Sequence, residues 1–147
     1  MINIFLLDYE SRLRSWAVLR EELINSTLKN ICIKVDDFWQ RAPTNNHYLH
    51  PDFIKDWPDP WQLLLDNNYC SYSRALGMIY TLLLLGINKL ELVIAIDDNS
   101  NEVVLVLVDN AKYVLNYWPG TAVNNHIDSF TILQTLDISP LYSKIGL

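Results

Sequence analysis

The sequence predicts an α+β domain in which N-terminal helices and one central buried helix pack on an antiparallel sheet. Three observations carry the prediction. Apolar residues recur at helical spacing through the first forty positions, a nearly apolar run extends from Ala75 to Ile87, and three Val-, Ile- and Leu-rich segments follow, joined by short polar turns. With 147 residues, half of them hydrophobic, the chain is long enough for one substantial core and too short for two ordinary domains. A single domain over 1–147 is expected, with a helical part at 1–40, a proline-rich loop at 41–60 and a helix-plus-sheet core at 61–138.

In the first part, Leu13, Trp16, Ala17, Arg20, Leu23 and Ile24 recur at three- and four-residue steps, as do Leu28, Ile31, Val35, Phe38 and Trp39. Two helices follow from this, with Asn25-Ser26-Thr27 as break or cap. From Arg41 to Pro60 four prolines disfavour any long element, yet Tyr48, Phe53 and Trp57 give the stretch apolar surface. It reads as a loop packed against the domain. Asp59-Pro60 is a cap with proline at the first helical position, starting a short helix through Trp61, Leu64 and Leu65 that ends near Asn67-Asn68. A longer helix is expected from about Cys70 to Leu85, ending at Gly86 and apolar nearly all round after Arg74. Strands are expected over Leu90–Asp97, Glu102–Asp109 and Lys112–Trp118, with Phe130–Leu136 as a fourth. Val103 to Val108 is apolar on both faces and reads as a middle strand. The tail from Ser139 carries no readable pattern.

A net charge of -6, with 11 Lys and Arg that form no run, opposes binding to phosphate backbones. Nucleic acid and anionic membrane are not expected as partners. The apolar run at 75–87 is too short for a bilayer span, and Met1-Ile2-Asn3 lacks the basic start of a secretory signal. The two cysteines, Cys32 and Cys70, form no CxxC pair, so neither a disulfide framework nor a structural zinc site is indicated, and no cofactor is expected. His47, His50 and Asp52 imitate a metal-ligand spacing too common to carry weight. Asp97-Asp98-Asn99-Ser100-Asn101-Glu102 has no glycine and is too short for a calcium loop, so it reads as a solvated hairpin.

The order Asp59-Pro60-Trp61-Gln62-Leu63-Leu64, then Asn68-Tyr69-Cys70, then a buried helix and antiparallel strands, resembles the core of transglutaminase-like (papain-like) cysteine hydrolases. That resemblance covers roughly Trp57 to Trp118 and implies a nucleophilic cysteine opening the central helix, a histidine base on the next strands and an aspartate that orients it. Carried over, the nucleophile falls on Cys70, the histidine slot on Glu102 and the aspartate slot on Asn116. Asn68-Tyr69 stands where the family prefers Gly-Asp, and Ser71-Tyr72 where an acidic pair often follows. A glutamate in place of the base disfavours a thiolate, so the site reads as degenerate. Cys70 is then a small buried residue at a helix start. Catalysis with a displaced His47, His50 or His126 is the alternative.

A second resemblance, to short proteins of tailed bacteriophages, rests on Tyr48-Leu49-His50-Pro51-Asp52, Trp57-Pro58-Asp59-Pro60-Trp61, the stretch from Tyr69-Cys70 through Thr81, and Val108 to Leu115, behind the Leu13-Arg14-Ser15-Trp16 helix. It implies a viral origin and a place among virion or assembly genes. The expectation is therefore a non-catalytic virion component or assembly factor, assembled in the host cytoplasm, whose partners are other phage structural proteins or further copies of itself. Alternatives are a cysteine hydrolase or acyltransferase using Cys70, and an inhibitor of a host enzyme. Tyr48, Phe53, Trp57, Trp61, Tyr117 and Trp118, in or beside irregular segments, are the candidate interaction residues.

Overall fold

The computed structural model of the chain describes residues 3–45 and 49–147, so His47 and Tyr48 lie outside the described residues. Helix α1 (Tyr9–Leu23) starts where the Asp8 carboxylate accepts the Ser11 N–H, and α2 (Leu28–Gln40) where the Thr27 hydroxyl accepts the Asn30 N–H. Trp16 and Leu23 face inward as their spacing predicts, but Ile24, expected on the same face, is the C-cap of α1 and 66% exposed. An unexpected short 3₁₀ turn at Ile4–Leu6 precedes α1 and sends Phe5 into the core.

The proline-rich stretch is only partly the docked loop expected. Ala42, Leu49 and Trp57 are buried, Tyr80 donates its hydroxyl proton to the Pro58 carbonyl at 2.7 Å, and Thr44 bridges to Tyr69. Phe53, however, lies on a 3₁₀ segment at Pro51–Asp56 and is exposed. Helix α3 (Pro60–Asp66) begins on the Asp59 cap and stops at Asn67, whose left-handed backbone an asparagine tolerates.

Helix α4 (Ser71–Leu84) is the central element, and eleven of its residues from Tyr72 to Leu83 are buried. It closes in a Schellman motif: Gly86, at φ 82°, donates to the Leu83 carbonyl and Ile87 to that of Leu82. Three helices meet at one hydroxyl. Thr81 Oγ1 accepts the indole N–H of Trp16 at 2.9 Å and of Trp39 at 3.0 Å, and donates to the Gly77 carbonyl at 2.7 Å. Gly77 lies directly beneath the Trp39 ring, where a methyl group would come within 2.5 Å of Cε3.

Strands β1 (Leu90–Ile96), β2 (Glu102–Val108), β3 (Tyr113–Leu115) and β4 (Thr131–Leu136) form one antiparallel sheet in the order β3-β2-β1-β4. Three hairpin-linked strands with the fourth returning beside the first constitute a Greek key. On one face Leu92, Ile94, Val104, Val106 and Leu115 join the core built around α4. On the other, Val93, Ala95, Leu105, Leu107 and Val114 form a second, smaller core with Phe130, Tyr117 and Ile127 from the connection between β3 and β4. That connection crosses the outer face, so β2 is covered on both sides, as its doubly apolar sequence requires. Strand β3 is shorter than the expected Lys112–Trp118 because Asn116 turns left-handed at φ 69°. The patternless tail forms a single turn of helix, α5 (Ser139–Tyr142), which buries Leu141.

Candidate functional site

Of the residues singled out by sequence, Cys70 and Asn116 meet at the start of α4. Cys70 is its N-cap, in extended conformation, half-buried where the sequence predicts burial. Its N–H donates to Ser73 Oγ at 3.3 Å, and its sulfur lies 3.3 Å from the same hydroxyl. Cysteine and serine thus form a capping box in which a weak sulfur acceptor replaces the usual oxygen. The following turn carries Arg74, whose guanidinium donates to the Ala42 carbonyl and to Thr44 Oγ1; its partial burial lowers its pKa. That cation is spent on holding the 41–45 segment.

Asn116 does reach the α4 start, but as a clamp. Its Nδ2 donates to the carbonyls of Ser71 and Val104, both at 2.9 Å, and its backbone N–H donates to Asp36 Oδ1 at 2.8 Å. Both amide hydrogens are committed, and the residue ties α2, α4 and β2 to the end of β3. Glu102 opens β2 opposite Ile96, exposed, on the α4 side of the sheet by alternation with Val104. An exposed carboxylate there gains nothing that would draw it to the sulfur.

Neither described histidine is a hydrogen-bond partner of Cys70. His50 caps the 3₁₀ segment, its Nδ1 accepting the Asp52 N–H and its ring tilted against Phe53. His126 lies in the β3–β4 connection, beside Lys29, Lys112 and Tyr113. His47 is outside the described residues. Among the described residues no group of three His, Cys, Asp or Glu side chains is placed to hold a metal ion, and no helix is long and apolar enough to cross a membrane.

Two acidic residues matter in ways the sequence did not disclose. Asp98 to Glu102 are exposed, as a solvated hairpin requires, but Asp97 at the base of the turn is not. It is turned inward, accepting from the Asn99 and Asn101 N–H groups and from the Tyr117 hydroxyl at 2.7 Å, and these bonds lower its pKa, Asn101 foremost. Asp36 is 2% exposed, and its pKa is raised by burial despite the Asn116 N–H and Gln40. Its only sequence signal is an acid on the apolar side of α2, four positions from Cys32.

The raised Asp36 pKa has a sign that can be checked. Folded Asp36 holds its proton more tightly than the unfolded chain, so its contribution is fully present below the ordinary 3.8 and is lost as pH climbs through the raised value. Asp36→Asn retains an oxygen to accept the Asn116 N–H and removes the charge. Urea unfolding should show variant and wild type nearly equal in strong acid, with the variant gaining steadily towards neutrality. A wild type that gains on the variant over that range would refute the assignment. The depressed carboxylates Asp8, Asp97 and Asp137 are common to both proteins and cancel.

The candidate interaction residues separate into groups. Phe53, Trp61 and Trp118 are 56%, 43% and 62% exposed. Trp57 is not on the surface: it is buried, its indole donating to the His50 carbonyl and its ring against Tyr72. Tyr117 is half-buried, edge-on to Phe130 and bonded to Asp97, so it ties the connection to the hairpin. Tyr48 is outside the described residues. No family model, curated protein or solved structure matches this chain.

Proposed function

We propose that the chain is a non-catalytic protein-interaction module, a degenerate transglutaminase-like domain that serves a tailed bacteriophage as a virion component or assembly factor. One observation carries the non-catalytic part. At the start of α4 the described polar groups are occupied in holding the fold: Ser73 with Cys70, Arg74 with the 41–45 segment, and Asn116 with two carbonyls. A cysteine hydrolase needs an imidazole or equivalent base within reach of the sulfur, and the sulfur's neighbour here is a serine hydroxyl. The helix-then-antiparallel-strand order supports the transglutaminase-like reading of the fold, and the phage assignment rests on the sequence resemblance. Exposed Phe53, Trp61 and Trp118 supply contact surface of the kind that protein interfaces favour.

The test is a Cys70→Ser substitution in the phage that encodes the chain, followed by quantitative mass spectrometry of purified particles and assembly intermediates. The expected result is a fixed copy number in one of those fractions and normal infectivity of the variant. Particles that incorporate the variant normally but lose infectivity would identify cysteine chemistry instead. Complete absence from particles and intermediates would overturn the structural role.

A further inference from the structure

Arg12 is only 8% exposed, and its guanidinium donates to the carbonyls of Leu7, Leu64 and Leu65. It caps the last turn of α3 and draws the backbone of Leu7 alongside. The backbone at Leu7 is thereby held to the same guanidinium as that at Leu64 and Leu65; Leu6 and Leu7 are 78% and 37% exposed, Leu65 is 50% exposed, and Trp61, also exposed, is one turn earlier on the same face of α3. Four large apolar side chains exposed on two segments that one guanidinium joins are more than scattered surface hydrophobics.

Acids flank them in sequence and are held in place. Asp8 follows Leu7 and accepts the Ser11 N–H at 2.9 Å; Asp59 precedes the Trp61 turn and accepts the Gln62 N–H at 2.8 Å; Asp66 follows Leu65 and accepts from Gln62 Nε2 at 2.7 Å. Of the two cations that act on Asp8, Arg14 is exposed and Arg12 is turned inward. A twofold contact between copies would set this rim against itself in a chain of net charge -6. A cationic occupant meets it with opposite sign.

We infer that the patch formed by Leu6, Leu7, Trp61 and Leu65 docks a basic amphipathic segment of a partner protein, apolar side chains on Trp61 and Leu65, lysines or arginines facing Asp8, Asp59 and Asp66. This rests on the interaction-module reading and adds to it a surface and a partner chemistry. The experiment titrates the isotope-labelled chain with a designed amphipathic helix of leucine and lysine, and separately with its leucine and glutamate counterpart, while following backbone amides by NMR. The lysine peptide should shift amides at 6–8 and 59–66, bind less tightly as salt rises, and lose about tenfold or more in affinity to Trp61→Ser/Leu65→Ser, whose exposed positions leave the fold intact. The glutamate peptide should leave those amides unmoved. Shifts centred elsewhere, equal binding of both peptides, or concentration-dependent shifts of the same amides without peptide would overturn the inference. A chain present in particles whose patch ignores the lysine peptide refutes the docking site alone; a chain that binds the peptide but is absent from particles refutes the virion role alone.

Discussion

In thermal unfolding, Gly77→Ala is expected to lose about 3 kcal/mol or more, the upper part of the range for overpacked cores, although alanine is the better helix former by about 1 kcal/mol. The sign is set by what the new methyl meets. It would come within 2.5 Å of Cε3 and 2.6 Å of Cε2 of Trp39, a rigid ring that is fully buried. The ring cannot swing aside without breaking the indole bond to Thr81, so α2 and α4 must separate. For a domain of this size the midpoint should fall by roughly 10 °C. Gly86→Ala is the useful comparison: nothing lies within 4 Å there, and the penalty comes only from the positive φ, about 1 kcal/mol. A Gly77→Ala protein as stable as wild type would show that the two helices do not approach as described.

The second large effect is at Thr81. Thr81→Val preserves shape but strands two buried indole N–H donors, each costing about 1–3 kcal/mol when unsatisfied, so a total loss of about 2–6 kcal/mol is expected. Thr81→Ser keeps the hydroxyl and removes one methyl, for about 1 kcal/mol. The contrast is the diagnostic. If valine and serine cost the same, the hydroxyl is not the common acceptor of Trp16 and Trp39. Tryptophan fluorescence provides a second readout, because losing the shared bond changes the surroundings of two of the five indoles.

The elements that could be read from sequence were those with local causes. Asp59-Pro60 and Ser26-Thr27 announce helix starts through their own backbone chemistry, and the doubly apolar β2 announces a strand covered on both sides. The missed features depend on distant partners. Nothing near Ile24 says that α1 ends one residue earlier, and nothing near Trp57 says that its indole meets the His50 carbonyl. The end of β3 is set by Asn116 reaching Ser71, forty-five positions away. The candidate site was legible as a location, since Cys70 and Asn116 both lie at the start of α4. Their roles were not: whether an amide orients an imidazole or clamps two carbonyls depends on what stands opposite, and here that is the carbonyls of Ser71 on α4 and Val104 on β2. One trace was present, a lone threonine in the apolar run of α4 with glycine four residues earlier, which is the spacing of its bond to the Gly77 carbonyl.

The order of strands also sets a timetable for synthesis. Leu92 of β1 pairs with Leu136 of β4, 44 positions later, whereas its other neighbour, Val106, follows closely in the chain. As the chain leaves the ribosome, the β1–β2–β3 meander can close while one side of β1 still has no strand to bond. Until Phe130 and β4 arrive, the outer face carrying Leu105 and Leu107 also lacks its cover. The nascent chain therefore passes through a stage with an open sheet edge and bare aliphatic surface, a form prone to pairing with other chains. Arrival of the chain from Phe130 to Leu136 closes both at once, making β4 the stroke that converts an adhesive intermediate into a finished domain.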